Sequence, residues 1–285
     1  MNHQLQRLQP GLHFVATPIG TARDITLRAL DVLASADVIA AEDTRSMRRL
    51  LEIHGVPLGD RPLISYHDHS GPKGREKLLA LLADGKSVAY ASEAGTPLIA
   101  DPGFHLSKDA QDAGHSVTSA PGPSAIITAL TLAGLPTDAF FFAGFLPNAK
   151  GARRSALEAL KGVPGTLVFY ESPKRTGEML RDAARVLGGA RQAVVCRELT
   201  KKFEEVRRGT LESLAAGIDG PLKGEIVVLI DRSGGEEIEE GDLEDELRKA
   251  LGHMSVRDAA DSVAKAFGVN KRKIYQMALK LSAET

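Results

Sequence analysis

The most constraining feature of this chain is its alternation of short apolar runs with longer amphipathic stretches. Runs at 13–16, 38–41, 63–65, 88–91 and 116–119 read as buried strands, and stretches at 27–34, 46–54, 75–84 and 105–113 read as the helices between them. Strands separated by helix-length crossovers build a mostly parallel sheet. Pro121-Gly122-Pro123 interrupts the series, and Ser124 can cap a helix running through residue 133. A second α/β series follows, with strands expected at 140–145, 166–171, 192–198, 204–208 and 225–230 and helices at 152–161 and 174–187. The expected organisation is therefore an N-terminal α/β domain over 1–121 and a C-terminal α/β domain over 122–233.

Beyond residue 233 the composition changes. Residues 234–246 carry eight acids and no base, which reads as a solvated acidic linker. Residues 247–285 carry eight Lys and Arg against three acids. The net charge of −1 is thus the balance of +2 over 1–233, −8 over 234–246 and +5 over 247–285. In the basic tail, Ser255-Val-Arg-Asp258 resembles a capping box, an apolar face runs from Ala259 to Phe267, residues 268–270 read as a turn, and 271–280 form a second amphipathic stretch with a basic start. The pattern is that of a helix-turn-helix. A plain helical hairpin packed on the body or on a partner subunit has the same pattern.

With 43 % hydrophobic residues the chain can bury a core. Its one cysteine, Cys196, permits neither an internal disulfide nor a cysteine zinc site, and it lies in an apolar strand run. No apolar run approaches the roughly 20 residues of a membrane helix, and the polar start is unlike a signal peptide, so a soluble cytoplasmic protein is expected. Thirteen aromatics and no Trp argue against a base-stacking platform.

The familiar nucleotide loops are missing. Without any Gly-x-Gly there is no dinucleotide fingerprint, and Gly85-Lys86-Ser87 precedes a strand and reads as a turn. Five loops do sit beyond the carboxyl ends of the first-series strands, where open α/β sheets bind ligands: 16–20 (Ala-Thr-Pro-Ile-Gly), 41–45 (Ala-Glu-Asp-Thr-Arg), 65–69, 91–103 and 120–124. Loops 170–175 and 197–202 place charges after strands of the second series. Gly- and Pro-rich loops of this kind suit an adenosine-bearing ligand held by main-chain groups. His67 and His69 flank Asp68, but no third His or Cys lies near enough in sequence to complete a metal site. No Gly-x-Ser-x-Gly elbow supports acyl-enzyme chemistry.

The motifs at 16–20, 41–45, 65–67, 95–99, 101–103, 121–125, 170–173, 197–201 and 223–225, in this order over residues 11–232, resemble the small-subunit rRNA methyltransferase I family of tetrapyrrole-methylase-like (class III) methyltransferases. The resemblance implies two α/β domains with S-adenosylmethionine in the cleft between them, a homodimer, and methylation of a cytidine ribose 2'-hydroxyl in the decoding region of 16S rRNA, free or in the 30S subunit. By motif matching, the cofactor pocket would use Pro18, Gly20, Gly95, Thr96, Ile99, Ser124, Ala125, Tyr170, Leu199 and Gly224. Thr21, Glu93 and Lys174 depart from the residues usual there, and Lys174 removes a histidine base at its position. Candidates for the base that assists the hydroxyl are Asp43, Glu171 and Glu198, with Arg45, Lys201 and Arg197 for phosphate or developing charge. Expected RNA contacts are Lys150, Arg153, Arg154, Lys174, Arg175, Lys201, Lys202, Arg207, Arg208 and Lys271 to Lys273. Two rival readings are a porphyrin-type C-methyltransferase, which the basic loops disfavour, and a ligand-sensing regulator with a helix-turn-helix tail.

Overall fold

The computed structural model describes residues 3–67, 70–100, 103–232, 240–267 and 271–283. The first series folds as β1 (Gly11–Val15), α1 (Leu27–Ser35), β2 (Val38–Ala41), α2 (Thr44–Ile53), β3 (Leu63–Ser65), α3 (Gly71–Ala83), β4 (Ser87–Ala91), α4 (Phe104–Asp112) and β5 (Val117–Ala120). Its sheet has the order β3-β2-β4-β1-β5, with every neighbouring pair parallel. β1, β2 and β4 are buried along their whole length, as strands covered on both faces must be. Leu30, Leu33, Met47 and Leu51 of α1 and α2 pack one face; Leu78, Leu82 and Leu106 of α3 and α4 pack the other. Asp43 starts α2 by accepting the Arg45 and Ser46 amides at 2.7 and 3.3 Å. Parallel strands deliver all five following loops to one edge of the sheet.

The second series folds as α5 (Ala125–Ala133), β6 (Phe140–Phe145), α6 (Lys150–Leu160), β7 (Thr166–Glu171), α7 (Thr176–Leu187), β8 (Gln192–Arg197), β9 (Glu205–Thr210), α8 (Leu211–Ala216) and β10 (Ile226–Ile230). The sheet order is β6-β7-β10-β8-β9; β6 runs parallel to β7, and the other three pairings are antiparallel. One face packs on α6, α7 and α8. The other packs on α5, and into the same cluster fit Ile19 from the first sheet's leading loop and Leu199 from the loop after β8. That shared core joins the two units across the space between their sheets.

The C-terminal region contains α9 (Glu240–Leu251), α10 (Val256–Phe267) and α11 (Lys271–Ala283), which bury Leu243, Leu247, Ala260, Val263, Ile274, Ala278 and Leu281 in a core of their own. The linker expected over 234–246 is therefore helical from Glu240. Leu243 and Leu247, at i and i+4, form an apolar stripe that α10 and α11 bury, and the acids between them remain outside it. Residues 234–239 and the 268–270 turn lie outside the described residues.

Candidate active site

Three loops at the carboxyl edge of the first sheet are tied into one wall. Thr17 and Gly95 exchange both main-chain hydrogen bonds, at 2.9 and 3.0 Å. The Ser92 hydroxyl donates to the Gly95 carbonyl at 2.7 Å, and the Thr96 hydroxyl donates to the Pro123 carbonyl at 2.9 Å. Gly95 has φ 82°, where an L side chain is disfavoured, and a Cβ there would sit 3.2 Å from Ile19. The opposite wall comes from the second sheet. Because β10 runs antiparallel to β7, with Ile226 opposite Glu171, its amino end meets the carboxyl end of β7 at the same edge.

A cleft of about 450 Å³ lies between these walls. Of the expected cofactor residues, Gly95, Thr96, Ile99, Ser124, Ala125, Tyr170 and Gly224 line it. Pro18, Gly20 and Leu199 are not among the residues that line it. Gly20 packs so closely on the 199–201 loop that a Cβ would stand 2.4 Å from the Thr200 hydroxyl and 2.9 Å from the Leu199 carbonyl. Leu199 is buried in the shared core. The cleft is also lined by residues the sequence did not single out for it, among them Phe145, Glu225, Ile226 and Val227. The rule that ligands bind at carboxyl strand ends misses β10, whose antiparallel direction only the fold reveals. Glu93, noted in the sequence only as a departure, lines the cleft as well.

The candidate bases occupy different settings. Glu171 is among the cleft-lining residues, and its side chain is fully buried. One carboxylate oxygen accepts the Ser172 amide at 2.7 Å; the other lies 3.4 Å from the Arg175 guanidinium without a hydrogen bond. Burial pushes its pKa up, against the lowering pull of the Ser172 amide, Arg175 and Arg153. Glu198 is held below the usual carboxylate range by the Lys201 ammonium at 3.0 Å and the Glu225 amide at 3.0 Å. Lys201 bridges Glu198 and Glu225, and these bonds raise its pKa despite partial burial. This pair braces Gly224, whose φ of 89° and missing Cβ let the Glu198 side chain pack directly against it. Asp43 is committed to capping α2, and the two amides it accepts keep its pKa down; the Arg45 side chain projects into solvent, 92 % exposed. Neither lines the cleft.

Among the described residues, Glu93, Glu171 and Glu225 line the cleft and no Lys or Arg does. Among the described residues there is no group of three or more His, Cys, Asp or Glu able to hold a metal; Asp68, His69 and Asp101 lie outside them. Cys196 is buried and its thiol is pushed up to about 11 by burial, as befits a core residue. No described helix is long and apolar enough to cross a membrane.

Two sheets facing each other across such a cleft define a tetrapyrrole-methylase-type enzyme, and the family model for tetrapyrrole (corrin/porphyrin) methylases matches residues 11–215. A second model, for the RsmI C-terminal HTH domain, matches residues 237–282. The solved structure of a diphthine synthase superposes with a TM-score of 0.61 at 18 % identity, covering 77 % of this chain and 89 % of that one. That of uroporphyrin-III C-methyltransferase from Thermus thermophilus complexed with S-adenosyl homocysteine superposes at 0.54 with 19 % identity, covering 77 % and 96 %. At such identities these likenesses concern the fold alone. The ribosomal RNA small subunit methyltransferase I of Mesorhizobium japonicum is 48 % identical over 96 % of this chain and 93 % of its own. The chain belongs to the ribosomal RNA small subunit methyltransferase I family and is an S-adenosylmethionine-dependent methyltransferase.

Proposed function

We propose that this enzyme methylates the ribose 2'-hydroxyl of a cytidine in the decoding region of 16S rRNA, presented in the 30S subunit, and that it does so in the cytoplasm as a homodimer with domains 1–121, 122–233 and a helical extension. The observation that carries the reading is that, among the described residues, every charged residue lining the cleft is a glutamate. S-adenosylmethionine bears a sulfonium and an ammonium, and when bound it supplies an electrophilic methyl group. Glu93 and Glu225 fit that positive charge, the small residues Gly95, Ser124 and Ala125 allow close main-chain approach, and Tyr170, Ile226 and Val227 offer apolar surface.

Glu171 is the residue we assign as general base. Glu171 is a cleft-lining residue, one of its carboxylate oxygens lies 3.4 Å from Arg175 without a hydrogen bond, and burial gives it a higher affinity for protons than an exposed Glu has. Glu198 and Lys201 hold the second-domain wall in place through Gly224 and Glu225. Positioning of the ribose oxygen by these fixed walls supplies much of the rate of an in-line displacement. Ile127 and Phe140, exposed and lining one groove, form an apolar face that supports the homodimer. The test is methyl transfer to purified 30S subunits with the modified atom mapped by mass spectrometry.

A further inference from the structure

Most of the second-domain cations expected to meet RNA are already engaged. Arg153 is buried and, with Arg154, binds Asp182; Arg175 bonds the Leu146 and Pro147 carbonyls; Arg207 pairs with Glu205; Arg208 binds the Ala133 carbonyl at the end of α5. The first domain carries a different kind of cationic surface. Its first 72 residues contain seven Arg and no Lys. Arg45, Arg48 and Arg49 fall at i, i+3 and i+4 on the exposed face of α2, while Met47 and Leu51 on its other face are buried. The ion pairs on that face are long and solvated, Arg45 with Asp43 at 3.5 Å and Arg49 with Glu52 at 3.7 Å, so a phosphate can displace either acid at little cost.

The amino end of α2 begins beside the first-domain wall of the cleft. β2 pairs with β4 up to Ala41 opposite Ala91, so the segment leading into α2 and the Glu93–Gly95 wall leave adjacent strand ends. At the other end of α2 the His54 ring contacts the Ala22 carbonyl at 2.8 Å, which brings the exposed Arg23 alongside. Guanidinium groups bind phosphate in a bidentate fashion and stack on bases, which ammonium groups do not. We propose that the arginine face of α2 docks the RNA backbone flanking the target nucleotide and leads it to the cleft from the first-domain side. This rests on the rRNA reading above.

The test compares Arg48→Gln/Arg49→Gln and Arg48→Lys/Arg49→Lys in the full chain. Binding to a decoding-region RNA fragment is measured over a range of KCl, alongside KM for 30S subunits and S-adenosylmethionine affinity by calorimetry. For the Gln pair, the slope of log K against log salt should fall in magnitude by about 1.4, at ~0.7 per lost contact to single-stranded RNA. Its KM for RNA should rise about tenfold, with cofactor affinity unchanged, and the Lys pair should keep the wild-type slope. An unchanged slope and KM in the Gln pair would overturn the proposal. So would an effect on 30S subunits with none on the fragment, because the face would then contact protein. A wild-type chain that methylates neither substrate would sink the rRNA reading itself, whereas wild-type activity with an unaffected Gln pair sinks only the docking surface.

Discussion

A carboxylate that is both buried and at the edge of a cleft is costly, because no full set of partners repays its lost hydration. Glu171 is such a residue, with one oxygen on the Ser172 amide and the other lacking a hydrogen bond. Its role as base gives a defined outcome for Glu171→Gln: single-turnover methylation should slow by about 10²-fold or more with cofactor affinity retained. Only the ionised form accepts the proton. Since burial raises the pKa, the wild-type rate should fall with decreasing pH sooner than for an exposed Glu, and the residual Gln rate should lose that dependence. A Gln variant with the wild-type rate and pH profile would return the role to another group.

At the scale of elements, the fit between loops governs the cleft. Gly20→Ala would press a methyl group into Thr200 and the Leu199 carbonyl, so the first-domain loop must shift. The expected cost is about 1–3 kcal/mol, read as a lower melting temperature together with weaker cofactor binding in calorimetry. The strands of both sheets could be read from the sequence to within a few residues, most plainly β1, β2 and β4, because buried parallel strands are uninterrupted apolar runs. The site was legible where it follows the carboxyl ends of those strands, as at Gly95, Ser124 and Tyr170. It was illegible at Ile226 and Val227, because direction within a mixed sheet leaves no trace in a short apolar run. The acidic stretch near Glu240 was misread as linker because its charge hid the Leu243 and Leu247 stripe.

At the scale of the whole molecule, α9 to α11 close on their own core, apart from the clusters that pack the two sheets. Ending the chain after Arg232 should therefore leave S-adenosylmethionine binding intact in calorimetry, while affinity for 16S rRNA, measured by filter binding, falls. Unchanged rRNA affinity would remove the extension from the binding surface. The sequence total of −1 hid this arrangement, in which a basic tail and an arginine face sit on an otherwise balanced body. The central claim is tested most directly by incubating the full chain with S-adenosylmethionine and 30S subunits and mapping the methyl group. The account predicts one methyl on the ribose 2'-oxygen of a decoding-region cytidine. A methyl on a base carbon or nitrogen, or no transfer to 30S subunits or free 16S rRNA, would contradict it.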